Sequence, residues 1–229
     1  MIDLHTHILP KMDDGSQSPE ETEKLLEMLC SQGVTELAAT PHFYASQENP
    51  ESFLLRRASC IQKMPLQTGI QVHYGAEVAY FPGMQNCDAL TQLQIGTSGL
   101  LLIEMPFRSW TDRVVEDICA IPSQLGLTPV LAHVERYRGL SQFAKFRYRL
   151  ADNEVLFQCN AEAFMHGPSC RWALKQLKEG FMDFLGSDCH NLTHRAPKMD
   201  TAINIIKKKL GSEAFDLLSE AATLWLHGE

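Results

Sequence analysis

The sequence has no apolar run near the roughly 20 residues that a membrane-spanning helix requires. Asp3, His5 and His7 interrupt its first apolar residues, so no secretory leader is expected and the cytoplasm is the default location. Basic residues are in deficit. Lys and Arg total 20 against 28 Asp and Glu, a formal net charge of −8, which argues against a nucleic-acid groove. The seven cysteines are odd in number and include no C-x-x-C pair, so neither a zinc ribbon nor a disulfide framework is indicated. Most are expected to be small buried side chains. No linker, repeat or low-complexity tract divides the 229 residues, and one domain over 1–229 is the simplest reading.

What the sequence does contain is an alternation. Short apolar runs of strand length occur near residues 2–4, 34–39, 70–74, 100–103, 128–131, 155–157 and 181–185. Helical stretches lie between them, for example 111–124, 169–178 and 201–209. The clearest helix follows Ser18, its N-cap, with Pro19 at the first position and Glu21 completing a capping box. Thr22, Leu25, Leu26 and Leu29 then share one face, and Gly33 ends the helix. Apolar strands alternating with helices predict a parallel sheet covered by helices, and seven such units favour an α/β barrel over an open sheet.

Each strand-like run is followed by a polar residue suited to metal or ligand binding: His5, His42, Glu77, Glu104, His133, Asn160 and Asp188, at intervals of 27 to 37 residues. In parallel barrels the C-terminal strand ends meet at one face, where catalysis sits. Taken singly, each residue has a bland reading. His5 and His7 could be a surface pair, His42 a satisfied core histidine, Glu77 and Glu104 buried ion pairs, and Asp188 a helix cap. Yet a buried carboxylate without a partner costs several kcal/mol, and Arg136 is the basic residue at an equivalent strand end. Metal is the better partner. Five histidines (His5, His7, His42, His133, His190) and four carboxylates (Asp14, Glu77, Glu104, Asp188) exceed the needs of one ion and would serve about three. A mixed imidazole and carboxylate set without thiolate suits Mn, Fe or Zn. Three divalent ions would leave the site positive and attractive to a phosphate dianion.

The ordered motifs His5-Thr6-His7, Asp13-Asp14-Gly15, Thr40-Pro41-His42, Gly75-Ala76-Glu77, Glu104, His133-Val134-Glu135-Arg136-Tyr137 and Ser187-Asp188-Cys189-His190-Asn191 resemble the polymerase and histidinol phosphatase (PHP) superfamily. Within it they most resemble the bacterial manganese-dependent protein-tyrosine phosphatases associated with capsule and exopolysaccharide synthesis. The resemblance implies a distorted seven-stranded (β/α)7 TIM-like barrel with three divalent ions. It places His5, His7, Glu77 and Asp188 on one ion, Glu77, Glu104 and His133 on a second, and Asp14, His42 and His190 on the third. It implies that Arg136 and Arg195 contact phosphate, that a metal-bridging hydroxide attacks phosphorus, and that the substrate is a phosphotyrosine protein. A membrane-anchored tyrosine kinase with a tyrosine-rich tail would be the partner.

Glu104 separates the chain from the histidinol phosphatase branch, which tends to carry histidine there. Val134 stands where the family usually has proline, and Phe164-Met165-His166-Gly167 replaces a more glycine-rich loop; both bear on substrate preference rather than on the ligands. A small-molecule phosphatase is the alternative reading. His194 is a candidate proton donor to the leaving group. Phe43, Tyr44, Phe107, Trp110 and Tyr137 are candidates to flank an aromatic ring or, equally, to pack. Cys189 and Arg195 also have the C-x5-R spacing of thiolate phosphatases, but the intervening residues hold no glycine and Asp188 would oppose a thiolate. Nothing in the sequence fixes the oligomeric state.

Overall fold

The computed structural model describes residues 1–65, 69–108 and 110–228. In chain order its elements are β1 (Ile2–Thr6), α1 (Pro19–Ser31), β2 (Glu36–Ala39), β3 (His42–Phe43), α2 (Pro50–Ile61), β4 (Gln71–Tyr74), β5 (Glu77–Ala79), β6 (Leu100–Glu104), α3 (Asp112–Cys119), α4 (Ile121–Leu125), β7 (Thr128–Leu131), α5 (Ser141–Ala151), β8 (Leu156–Asn160), α6 (Gly167–Lys178), β9 (Phe184–Gly186), α7 (Met199–Leu210) and α8 (Ser212–His227). Every strand pairing is parallel, in the orders β1-β2-β4 and β3-β5-β6-β7-β8-β9. The sheet curls until its ends meet. A Thr6–Cys189 bridge joins them, with His7 N–H donating to Cys189 O at 3.0 Å and Asp188 N–H to His5 O at 2.8 Å.

The apolar runs are where they were expected, but the strands number nine rather than seven among the described residues. The second and third runs stop and resume. Pro41, which has no amide to donate, separates β2 from β3. Gly75 lies between β4 and β5, where a Cβ would sit 2.9 Å from Ile95 Cγ1. The expected helix 111–124 is likewise two helices, α3 and α4, meeting at Ala120 just before Pro122. Helix α1 keeps its expected cap and buried face, with Glu21 N–H donating to Ser18 Oγ. The Glu21 carboxylate takes the Gln17 amide rather than that of Ser18, so the capping box is displaced by one residue.

Alternation along the strands sorts side chains into two cores. Leu4, Ala38, Leu100, Leu102, Val130, Leu156 and Phe184 fill the inside of the curled sheet, closed by Ala222 and Leu226 of α8. Leu37, Leu101, Ile103, Leu131, Phe157 and Leu185 face the surrounding helices. Among the described residues no helix is long and apolar enough to cross a membrane.

Candidate metal centre

Strand β1 carries a bulge that decides where its histidines point. Asp3 pairs with Leu37 and Thr6 with Ala39, so three steps on β1 answer two on β2. An extra residue re-aims the chain beyond it. Within the shifted stretch Leu4 faces the inner core, while His5, and His7 beyond it, reach the cluster at the strand ends. Asp3, fully buried, accepts from His5 N–H at 3.3 Å within the bulge and from Ser187 N–H at 2.8 Å just past β9. Gly15 closes beneath His7, where a Cβ would lie 2.0 Å from His7 O.

The nine expected ligands converge. His5 Nε2 and His7 Nε2 are 3.0 Å apart, each within 3.3 Å of Glu77 Oε2 and 3.7 Å of Asp188 Oδ1. Glu77 Oε1 meets His133 Nε2 at 2.9 Å, and Glu104 Oε1 lies 3.3 Å from the same nitrogen. Asp14 Oδ1 lies 3.6 Å from His42 Nε2 and 3.4 Å from His190 Nε2. Glu77 thus touches the His5–His7 pair through one oxygen and His133 through the other. His42 is more central than expected, since its Nδ1 stands 3.0 Å from Glu77 Oε2, and His7 also lies within reach of the Asp14 group. Ligands held about 2.0–2.2 Å from one ion sit roughly 3 Å apart along a coordination edge, so these spacings fit divalent cations.

Two observations separate a metal centre from a hydrogen-bonded cluster. Among the described residues seven buried side-chain atoms lack a hydrogen bond, and four of them are here: His42 Nδ1, Glu77 Oε2, His133 Nδ1 and His190 Nε2. Unsatisfied buried groups are costly and rare, so the three that face the cluster, His42 Nδ1, Glu77 Oε2 and His190 Nε2, call for a missing partner. The electrostatics agree. Burial would raise the Glu77 carboxyl, but the charge of His5 and the close approach of the His133, His42 and His5 rings hold it well below its ordinary range. Asp188 is depressed in the same way, against burial, by His5 and His7. Burial opposes the charged form of His133, but Glu104 and Glu77 raise it to about 9. His7 is raised well above its usual value, its burial outweighed by Asp13, Asp188 and Glu77. Ionised carboxylates that draw protons onto imidazoles would draw cations in their place. His190 goes the other way, lowered to about 4 by burial and by the neighbouring His7 charge.

Partners behind the ligands were missed in the sequence. Asp13 Oδ2 lies 2.7 Å from His7 Nδ1 and accepts from His42 N–H at 2.9 Å. Asp13 was visible beside Asp14 in the Asp-Asp-Gly turn. The Gln158 carbonyl oxygen lies 3.1 Å from His5 Nδ1 and accepts from His133 N–H at 2.8 Å, and nothing in an apolar run signals that. Two candidate ligands, His133 (φ 36°) and Asp188 (φ 53°), occupy the left-handed region that non-glycine residues seldom adopt. Such strain gathers at functional sites. Arg136 and Arg195 both reach Asp188, at 2.5 Å to Oδ2 and 2.7 Å to Oδ1, and both guanidiniums remain about one-third exposed.

Along residues 1–224 the sequence matches the family described as capsular polysaccharide synthesis, CpsB/CapC. The chain belongs to that family. It is 30% identical over 230 residues to the tyrosine-protein phosphatase CpsB of Streptococcus pneumoniae, covering 93% of this chain and 92% of that protein. It is 28% identical to the tyrosine-protein phosphatase YwqE of Bacillus subtilis over 236 residues, covering all of this chain and 92% of YwqE. Its fold superposes on a structure from the study of YwqE and S. pneumoniae CpsB, described as unique metal-dependent tyrosine phosphatases, with a TM-score of 0.83 and 25% identity over the whole chain and 95% of that structure. The lactonase Lmo2620 of Listeria monocytogenes shares the fold alone, at TM-score 0.57 and 11% identity over 98% of this chain and 93% of its own.

Within this CpsB/CapC frame the remaining expectations sort by burial. Phe43, Trp110 and Tyr137 are at most 3% exposed and pack in the core, the Tyr137 hydroxyl bonding the Met105 backbone, so they are not a substrate wall. Tyr44 and Phe107 do border the cluster. Tyr44 stacks on His42 with centroids 5.3 Å apart, and the exposed Phe107 stacks on His133 at 5.7 Å. Tyr44 also lines a cavity of about 620 Å³ with Asp13, Asp14, His42 and Arg56. Cys189 is fully buried and its thiol is pushed up to about 12, chiefly by that burial, which leaves no thiolate for the C-x5-R reading.

Proposed function

We propose that this chain is a metal-dependent phosphomonoesterase that hydrolyses phosphotyrosine in proteins, within capsule or exopolysaccharide synthesis. The observation that carries the reading is Glu77 shared between two ligand groups, with two arginines gathered on Asp188 beside them. A tyrosine-rich tail of a membrane-anchored kinase, met at the cytoplasmic side, is the natural substrate of such an enzyme. We read β2 with β3, and β4 with β5, as single interrupted strands, which makes the sheet a seven-stranded barrel and residues 1–229 one domain. Three ions, manganese foremost with iron or zinc as substitutes, would be held by His5, His7, Glu77 and Asp188; by Glu77, Glu104 and His133; and by Asp14, His42 and His190. When bound, such ions supply Lewis acidity toward phosphoryl oxygens and lower the pKa of water.

The chain's own residues do the rest. Arg136 and Arg195 offer planar forks of donors to the equatorial oxygens of the phosphoryl group, held in register by their shared partner Asp188. Phe107 and Tyr44 border the space an aryl ring would enter. A phenolate leaves readily, so the demand on a proton donor is small; His194, exposed in a small crevice beside Arg195 and Asp188, is the candidate for it.

The test is phosphate release from a phosphotyrosine peptide and from histidinol phosphate, with manganese and after chelation. Metal-dependent release that favours the peptide is expected, and Cys189→Ser should retain it. Preference for histidinol phosphate would move the chain to the small-molecule reading. No metal-dependent release from either substrate would overturn the proposal.

A further inference from the structure

Of the four histidines outside the centre, two meet elsewhere. His73 on β4 and His227 in the last turn of α8 each place Nε2 3.0 Å from one oxygen, Oε2 of Glu36 on β2. Their rings are not stacked: centroids lie 5.8 Å apart with planes at 66°, so two imidazole edges converge on one carboxylate. All three donor atoms fall within 4.8 Å of one another. Register explains the first pair. Glu36 pairs with Gln71 and Ala38 with His73, so Glu36 and His73 share a sheet face one step apart. Gly96 closes on the other edge of the His73 ring, where a Cβ would stand 3.3 Å from Nδ1, leaving Nε2 as the edge turned to Glu36. The third donor arrives from a helix 154 residues further along the chain.

We propose that Glu36, His73 and His227 form a further divalent-cation site, of zinc-like preference, that fastens α8 to the sheet. Two imidazoles and one carboxylate are a sufficient protein set for zinc when water completes the shell. Side-chain exposures of 14% (His73), 22% (Glu36) and 31% (His227) leave room for that water and for exchange of the ion. The 3.0 Å nitrogen–oxygen spacings are a few tenths of an ångström short of the roughly 3.3 Å edge of a tetrahedral shell with ligands at 2.0–2.1 Å, a gap that small side-chain shifts would open. The helix has use for such a tie. Leu218, Ala222 and Leu226 are its buried residues, while Leu217, Leu224 and Trp225 stay exposed, so packing alone holds it along a narrow stripe. A cation at its last turn would add a polar tie beside Leu226, the last residue of that stripe.

The experiment counts zinc by mass spectrometry in full-length wild type, His227→Ala and His73→Ala after equilibration with zinc and desalting. It reads stoichiometry and needs no phosphatase activity, so it stands whether or not the proposed reaction does. Each variant should hold about one ion fewer per chain, and added zinc should raise the Tm of wild type more than that of His227→Ala. His227 is partly exposed and is the last residue of the helix, so its variant should stay folded, which circular dichroism verifies. Equal zinc content in wild type and His227→Ala overturns the site and leaves a hydrogen-bonded clamp.

Discussion

His7 Nδ1 lies 2.7 Å from Asp13 Oδ2, and the same oxygen accepts the backbone N–H of His42. One carboxylate therefore fixes the tautomer and direction of one candidate ligand and the backbone of another. Partners of this kind typically govern metal affinity by 10–100-fold. Asp13→Ala should accordingly weaken manganese binding by roughly one to two orders of magnitude, read by calorimetric titration, with the fold retained by circular dichroism. Unchanged affinity would mean that His7 needs no support from behind.

Gly186 ends β9 with no space for a side chain: a Cβ would lie 2.7 Å from His5 Cβ and 2.6 Å from the Gln158 amide nitrogen. Gly186→Ala should destabilise the chain by about 1–3 kcal/mol through overpacking and displace the His5–Gln158 pair. Gly139→Ala, with nothing within 4 Å, should stay within roughly 0.5 kcal/mol of wild type. Urea denaturation of the three proteins side by side checks both.

That close approach marks the boundary of what the sequence could disclose. The candidate ligands were legible because each follows an apolar run, and a parallel sheet brings such positions to one rim. The β1 bulge was not: strict alternation would set Leu4 and His5 on opposite faces, and only the shift against β2 brings both inward. Gln158 reads as an interruption in a buried strand until His5 and His133 are placed beside it. The breaks that turn seven runs into nine strands come from Pro41 and Gly75, residues plain in the sequence whose effect on pairing depends on the neighbouring strands. Helix α5 has its apolar residues at Phe143, Phe146 and Leu150, a helical period too short to stand out unaided.

Phe107 is 56% exposed while stacked on His133, an arrangement that costs hydration without adding core. An arriving aryl ring would recover it, at the 0.5–1.5 kcal/mol usual for aromatic pairs. Phe107→Ala should lower kcat/KM for a phosphotyrosine peptide about two- to tenfold. An alkyl phosphate should be turned over unchanged. Equal losses on both substrates would assign Phe107 to holding His133 rather than to selecting the ring.

Asp183 sits just ahead of β9, where its carboxylate accepts from Phe157 N–H at 2.8 Å. Burial raises its pKa to about 6, and that hydrogen bond offsets only part of the effect. An unfolded aspartate titrates near 3.9. Between those values the folded chain keeps a proton that the unfolded chain has released, so stability falls as pH rises through this window and stays reduced above it. Two pKa units set a ceiling of roughly 3 kcal/mol, discounted because the carboxylate retains some contact with solvent. In Asp183→Asn the amide oxygen can still accept from Phe157, and the titration is gone. The variant should therefore exceed wild type by about 1–2 kcal/mol at pH 7.5. The gap should narrow by roughly half at pH 5, and the ionisations of the metal centre cancel in the comparison. Urea midpoints measured across pH 5–7.5 with chelator present decide it, and a gap that does not change with pH would show that Asp183 titrates normally in the folded chain.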